Sequence, residues 1–169
     1  MNIALCGIGP HFIENLIEPI KSIFQEDNLI VYSRSITSAE EKAKELNISN
    51  FGSTLIRDLE SRKIGMVISA IPPSDLGLEV VNCSLRNSTP VFVEKPLCIS
   101  NEDLLEIQND LKPNSILQVG YNYSNEEIFA EFCNECKVNS VENFRINFDS
   151  TVGFKVTVKW QYRSSSHNG

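Results

Sequence analysis

The sequence has no long apolar run and no excess of basic residues. No segment approaches the roughly 20 apolar residues that a membrane-spanning helix needs, and the first residues carry no basic region of the kind that opens a signal peptide. Asp and Glu together number 22 against 15 Lys and Arg, for a formal net charge of -7. An acidic surface repels phosphate backbones. We therefore expect a cytoplasmic protein that binds neither membranes nor nucleic acid.

Histidine and paired cysteines are also scarce. The two histidines are His11 and His167, and the five cysteines include one C-x-x-C pair, Cys133 and Cys136. A structural zinc site takes about four ligands, and neither a second such pair nor a histidine pair accompanies this one. The sequence therefore predicts no metal site and reduced, mostly buried thiols, with metal or redox use of the C-x-x-C pair as the less favoured alternative.

Short apolar runs alternate with segments of helical periodicity from residue 1 to about residue 122. The runs contain few polar residues, as is typical of parallel strands that helices cover on both faces. Pro19 is expected to kink or divide the first helix, and Thr37 and Asn101 are expected to begin later helices as N-caps. The pattern predicts a doubly wound α/β domain over residues 1–122. The predicted strands are 3–6, 29–32, a short one at Phe51, 66–70, 91–93 and 116–120, and the predicted helices are 12–24, 38–46, 55–62, 76–85 and 101–111.

Residues 123–169 follow a different pattern. A helix is expected at 128–136, after which apolar residues recur with a period of two over 144–148 and 154–162. That alternation is typical of antiparallel strands with one apolar face, and 150–153 is short enough to join them as a β-hairpin. A two-stranded hairpin is marginally stable alone, so its apolar face needs a cover. We expect a homo-oligomer formed through these strands; the first domain or a missing segment are the alternative covers.

The segment Gly7-Ile8-Gly9-Pro10-His11-Phe12 lies between the first predicted strand and the first predicted helix. In that position G-x-G begins a dinucleotide-binding fingerprint, because one glycine allows the tight turn and the other lets the backbone approach a pyrophosphate. The third glycine of the fingerprint is replaced by Phe12, and we expect His11 to act through its backbone. The segment predicts cofactor binding in a Rossmann-type fold; the alternative is a glycine turn that serves packing alone.

The end of the second predicted strand bears on the type of dinucleotide. A carboxylate there would bind the ribose 2′-hydroxyl of NAD, but the sequence has Ser33-Arg34. A guanidinium offers paired hydrogen bonds to a 2′-phosphate. These residues favour NADP over NAD as the cofactor; the alternative is a solvated arginine in a loop.

Glu94-Lys95-Pro96 follows another predicted strand at its carboxyl end, where ligands of open α/β sheets bind. The proline restricts the backbone of Lys95 and so fixes its direction. A lysine beside a nicotinamide could donate or accept the proton that accompanies hydride transfer to or from a carbonyl. We interpret Lys95 as a candidate catalytic residue; the alternative is an exposed loop.

Together these residues resemble the glucose–fructose oxidoreductase / inositol dehydrogenase family, Gfo/Idh/MocA, in its N-terminal NAD(P)-binding domain. The resemblance also rests on Pro72-Pro73 and on Val119-Gly120-Tyr121-Asn122. It implies an NAD(P)-dependent oxidoreductase acting on a sugar, a cyclitol or a nucleotide-linked sugar, followed here by a truncated C-terminal domain. It implies that Lys95 is catalytic and that Glu94 and Asn122 lie beside the nicotinamide and substrate. The cofactor-binding residues that we expect are Gly7, Ile8, Gly9, Pro10, His11, Phe12, Ser33, Arg34, Ala70, Ile71, Pro72, Pro73, Leu76, Glu94, Lys95 and Asn122.

The sequence departs from the family pattern in two places and leaves the function open. Leu76 stands where family members usually have a histidine, and Tyr123-Ser124 stand where an arginine is common. One hypothesis is an oxidoreductase that completes its site by oligomerising. The other is a non-catalytic dinucleotide-binding module with a regulatory or partner-binding role. A remnant without selected activity is a third possibility.

Overall fold

The computed structural model describes residues 1–121 in full, and the strands 144–149 and 155–160 by their backbone. The chain divides into two compact units, Met1–Tyr121 and Asn122–Gly169.

The first unit is a six-stranded sheet whose paired neighbours all run parallel. The strand order is β3-β2-β1-β4-β5-β6, in which the chain passes from β3 at one edge to β4 beyond β1. This order is that of the doubly wound Rossmann arrangement, and it confirms the predicted fold class. The strands are β1 (Asn2–Cys6), β2 (Asn28–Tyr32), β3 (Asn50–Gly52), β4 (Met66–Ser69), β5 (Val91–Val93) and β6 (Leu117–Val119).

Six helical segments connect these strands, and their positions follow the predicted ones closely. The first predicted helix is divided as expected, but the break falls at Leu16, so that Pro19 lies inside the first turn of the second segment. Proline is tolerated there because the first-turn N–H groups have no partner within the helix. The helices are α1 (Pro10–Asn15), α2 (Ile17–Ile23), α3 (Ile36–Glu45), α4 (Leu55–Glu60), α5 (Asp75–Arg86) and α6 (Asn101–Asp110).

The two expected N-caps are wrong by one or two residues. The side chain of Ser35, not Thr37, accepts a hydrogen bond from the Ser38 N–H at 3.2 Å and caps α3. Ser100, not Asn101, accepts from the Asp103 N–H at 3.0 Å and caps α6. In both cases a better-placed serine precedes the residue chosen from the sequence, because the cap must lie three residues before the N–H that it satisfies.

The sheet has a hydrophobic core on each face. Ile3 and Leu5 of β1 belong to one core cluster, whereas Ala4 and Cys6 belong to the other. The first cluster takes its helical residues from α1, α2 and α3, and the second from α4, α5 and α6. Apolar side chains therefore lie on both sides of β1, which explains why its sequence is an unbroken apolar run.

A buried tyrosine connects the end of β2 to α4. The Tyr32 hydroxyl donates a hydrogen bond to Asp58 Oδ2 at 2.9 Å, and Thr54 Oγ1 donates to the same oxygen at 3.2 Å. Burial tends to raise the pKa of Asp58, but the hydrogen bonds from Tyr32, Thr54 and Lys63 and the charge of Lys63 hold it below its usual value. Burial, followed by the bond to Asp58 and its charge, raises the pKa of Tyr32. This network fixes the backbone immediately before Ser33.

The described part of the second unit is a pair of antiparallel strands, β7 (Phe144–Asp149) and β8 (Lys155–Trp160). Their register pairs Phe144 with Trp160 and Asp149 with Lys155. The two antiparallel strands expected in this segment are thus present. The helix predicted at 128–136 and the connection at 150–153 lie outside the described residues.

The cysteines within residues 1–121 are all free. Cys6 and Cys83 are buried and Cys98 is partly buried. Burial raises the pKa of the Cys6 thiol to about 11, despite a hydrogen bond with Ser69 that lowers it. Cys133 and Cys136 lie outside the described residues. Among those that the structure describes, no helix is long and apolar enough to cross a membrane, and no group of three His, Cys, Asp or Glu side chains could hold a metal ion.

Replacing Tyr32 by Phe is expected to lower the free energy of unfolding by about 1 to 2 kcal/mol at neutral pH, because Asp58 loses a donor to a charged group. The measurement is urea denaturation of both proteins. The pKa of Asp58 is lower in the folded protein than in the unfolded chain. Its contribution to the free energy of unfolding is therefore fully present above the pKa of the unfolded chain, and it is lost as the pH falls through the pKa of the folded protein. The difference between the two proteins should therefore narrow below about pH 4. Equal stability of wild type and Y32F at neutral pH would contradict the role given to this network.

Candidate functional site

The carboxyl ends of five neighbouring strands finish in one row. The register aligns Tyr32, Cys6, Ser69, Val93 and Val119 across the sheet. The residues that follow them, at the carboxyl edge, are Ser33, Gly7, Ala70, Glu94 and Gly120. Neighbouring strands are about 4.8 Å apart, so the row extends about 14 Å from Ser33 to Glu94. Four of the site residues expected from the sequence, Gly7, Ser33, Ala70 and Glu94, therefore lie in one row along the edge where open α/β sheets bind ligands.

Gly7 brings the loops after β1 and β4 into direct contact. Its φ is +74°, and a Cβ at this position would collide with the backbone of Ala70 and Ile71. The Ala70 N–H donates to the Cys6 carbonyl at 2.9 Å, so this contact continues the sheet by one residue. Both the positive φ and the close approach require glycine here.

Gly9 is a glycine for a different reason. Its φ of -119° and ψ of -176° are extended backbone that any residue adopts. A Cβ at Gly9 would meet no heavy atom of the described residues within 4 Å. Neither conformation nor packing within this unit requires a glycine, so the space beside it is free for a ligand. No side chain caps α1, which begins at the next residue, Pro10.

Phe12 belongs to the core and not to the open side of the loop. It is fully buried and lies in the cluster with Ile3, Leu5 and Val31. Any contact of this residue with a ligand would therefore come from its main chain. The aromatic ring that replaces the third fingerprint glycine fills space between helix and sheet and leaves the carboxyl edge clear.

Ser33 and Arg34 differ in how firmly they are held. The Ser33 N–H donates to the Gly52 carbonyl at 3.2 Å, and its hydroxyl donates to Ser38 Oγ at 3.0 Å. Arg34 is exposed and makes no hydrogen bond or ion pair within the part of the chain that the structure describes. Its guanidinium is available to an anion that lies against this end of the edge.

The loop from Ala70 to Pro73 is fixed by short-range hydrogen bonds. The Ile71 N–H donates to Ser69 Oγ at 3.3 Å, and the Ser74 hydroxyl donates to the Pro72 carbonyl at 3.0 Å. Ser74 Oγ also accepts from the Gly77 N–H at 3.2 Å and caps α5. Leu76, in the first turn of α5, is 39% exposed, so an apolar surface is present where the family histidine would stand.

Glu94 and Lys95 follow β5 with opposite degrees of exposure. The Glu94 N–H donates to the Ser69 carbonyl at 2.8 Å, and its side chain is only 12% exposed. Lys95 is exposed and has neither hydrogen-bond nor ion-pair partners among the described residues. The Lys95–Pro96 peptide bond is cis. Asn122, expected beside the nicotinamide, lies outside the described residues.

One contact across this edge is not predictable from the sequence. His11 Nε2 lies 3.8 Å from Glu94 Oε2, although His11 was expected to act through its backbone. A Cβ at Gly120 would lie 3.0 Å from Glu94 Oε1. No sequence pattern connects three residues so far apart along the chain. Only the parallel register of β1, β5 and β6 places them together.

The comparisons with known structures agree with this architecture. A levoglucosan dehydrogenase in complex with NADH and levoglucosan superposes with a TM-score of 0.64 at 18% identity, over 85% of this chain and 41% of that one. A scyllo-inositol dehydrogenase from Lactobacillus casei, with bound NAD(H) and scyllo-inositol, gives 0.61 at 18% identity, over 85% and 43%. At these identities the likeness shows the fold. The chain spans about two fifths of the length of these proteins, and among curated proteins none matches it significantly.

A match to a protein family identifies the family to which the chain belongs. The family described as oxidoreductase family, NAD-binding Rossmann fold, matches residues 1–121 of the 169 in the chain. That segment contains the sheet, the glycine loop and the Glu94-Lys95-Pro96 turn. The chain therefore belongs to the Gfo/Idh/MocA oxidoreductase family, by virtue of its NAD-binding Rossmann unit.

Proposed function

We propose that this protein binds NADP, or NAD more weakly, along the carboxyl edge of its sheet and takes part in hydride transfer with a sugar, a cyclitol or a nucleotide-linked sugar. The observation that carries the proposal is the free space beside Gly9, at a position where neither conformation nor packing requires a glycine. Glycines of this kind let a backbone approach a pyrophosphate closely. The substrate class is supported by the levoglucosan and scyllo-inositol dehydrogenases that share the fold.

The residues along the edge fit the two ends of such a dinucleotide. Arg34 at the end of β2 would bind a ribose 2′-phosphate, since its guanidinium is exposed and forms no ion pair within the described residues. Ala70, Ile71, Pro72 and Pro73 would form a wall toward the nicotinamide. Glu94 and Lys95, about three strand spacings from Ser33, would lie at the nicotinamide end.

The cofactor, when bound, carries the hydride; the chain must supply the proton chemistry. Lys95 would serve by holding its ammonium near the reacting oxygen of the substrate and donating or accepting the proton there. Its position after a hydrogen-bonded strand end supplies orientation, which accounts for much of catalytic rate enhancement.

We also propose that two copies of the chain associate through β7 and β8. A monomer of 19.0 kDa in light scattering would contradict this proposal.

Replacing Gly9 by Thr is expected to weaken binding of NADPH and NADH by about tenfold or more, equivalent to about 1.4 kcal/mol. The new side chain would occupy the space proposed for the pyrophosphate. Thr and Gly are similar as N-caps, so the free energy of unfolding should stay within about 0.5 kcal/mol of wild type. Fluorescence titration measures the binding and urea denaturation the stability. As a contrast, Gly7→Thr should destabilise the fold itself. Undiminished binding in the Gly9 variant would overturn the proposed site.

Replacing Arg34 by Ala tests the preference for NADP. We expect the affinity for NADPH to fall about tenfold or more, because a charge-assisted bond to the 2′-phosphate is lost. The affinity for NADH, which has no such phosphate, should change less than about twofold. Lys44→Ala is the matched control. It also removes one positive charge, but from the last turn of α3, at the end of the helix that is remote from Arg34. Equal losses for both dinucleotides would refute the preference.

Replacing Lys95 by Met tests the catalytic role with a side chain of similar length. Oxidation of a panel of cyclitols, sugars and nucleotide-sugars is followed by the absorbance of the reduced nicotinamide. We expect turnover to fall about 100-fold or more, whereas dinucleotide affinity stays within about threefold of wild type. Binding without turnover of any substrate by the wild type would instead support the non-catalytic alternative. Failure of the wild type to bind either dinucleotide would defeat both.

A further inference from the structure

The His11 ring is oriented by its own helix. Asn15, one turn further along α1, places its side-chain nitrogen 3.1 Å from the His11 carbonyl and 3.2 Å from the His11 Nδ1. A carbonyl only accepts, so the atom facing it must be the amide N–H₂ group. The same group then donates to Nδ1, which must accept. In the neutral ring the proton is therefore on Nε2.

That Nε2–H group faces Glu94. The distance from Nε2 to Glu94 Oε2 is 3.8 Å, within ion-pair range and longer than a direct hydrogen bond. His11 is more than half exposed, whereas Glu94 is 12% exposed. Within the described residues, Glu94 has no ion pair with any lysine or arginine. The His11 ring is the positive or donor group that faces this carboxylate from α1.

The other side of Glu94 is confined by β6. A Cβ at Gly120 would lie 3.0 Å from Glu94 Oε1 and 3.1 Å from Phe92 Cζ, which is tighter than ordinary contacts. Gly120 therefore leaves the space that the carboxylate occupies. The Glu94 main chain is held by the bond from its N–H to the Ser69 carbonyl. One carboxylate oxygen of Glu94 thus lies against Gly120, and the other faces His11.

We propose that His11 is a positioning residue. It holds the Glu94 carboxylate between α1 and the end of β6, and through it sets where the Glu94-Lys95 segment lies relative to the glycine loop. The expected effect on dinucleotide affinity rests on the proposed function, since Glu94 would lie at the nicotinamide end. The contact between His11 and Glu94 does not depend on the proposed function.

The test is a double-mutant cycle with His11→Leu, Glu94→Gln and both together. In the free protein, the unfolding equilibrium constant from urea denaturation should show a coupling between the two positions of about threefold, weaker in high salt. No coupling in the free protein overturns the inference. This arm needs no dinucleotide, so it stands even if the proposed function fails.

The second arm uses NADPH and NADH as probes of the same four proteins. His11→Leu should weaken binding about tenfold in the wild-type background and less than about twofold in the Glu94→Gln background. His11→Gln, which keeps a neutral N–H donor of similar reach, should restore affinity to within about threefold of wild type. Glu14→Gln, an exposed change on the same helix, is the matched control. Independent, multiplicative losses would overturn the inference while leaving the proposed function intact; absence of binding by the wild type would overturn the proposed function alone.

Discussion

The contact between Gly7 and the Ala70–Ile71 backbone is the constraint on which the candidate site depends. It lets the loops after β1 and β4 lie against each other, one residue beyond the last ladder bond of the sheet. With any side chain at this position the two loops would have to separate. The glycine loop that continues to Gly9 and the segment that continues to Pro72 and Pro73 both start from this contact. Gly7, which has no Cβ, thus determines how closely the loops after β1 and β4 approach each other.

The charge of the edge differs from that of the molecule. The chain as a whole carries a formal net charge of -7. Along this edge, however, Arg34 and Lys95 are exposed positive charges that have no ion-pair partner among the described residues. Glu94 lies between the glycine loop and Lys95, next to the polar His11 ring. The proposed ligand, an elongated molecule with anionic groups near one end and a reacting oxygen near the other, would place its anionic groups near Arg34 and the oxygen near Lys95. The acidic remainder of the surface does not oppose it, because exposed charges beyond about 8 to 10 Å are largely screened.

Local sequence patterns predicted the secondary structure well and the details of the site less well. The unbroken apolar run of β1 predicted a strand buried on both faces, and both core clusters include its residues. Phe12 shows the limit of such reasoning. Its place in the glycine loop suggested a ligand contact, but its ring is fully buried, because a large apolar side chain at the start of a helix gains more from the core than from solvent. The predicted caps Thr37 and Asn101 are wrong because polar residues adjoin each other at both helix starts, and the serine that accepts the hydrogen bond comes earlier in the chain.

Local sequence is sufficient to predict the order of strands and helices, the glycine loop and the loop that contains Lys95. Each of these depends on neighbouring residues, through apolar periodicity, backbone freedom at glycine and the restriction that proline imposes. Only the folded chain shows that His11, Glu94 and Gly120 meet. It also shows that a Cβ at Gly7 would collide with a loop more than 60 residues away, whereas one at Gly9 would meet no heavy atom of the described residues within 4 Å. These are facts about distances between segments far apart in the chain, and they are fixed by the register of the parallel sheet.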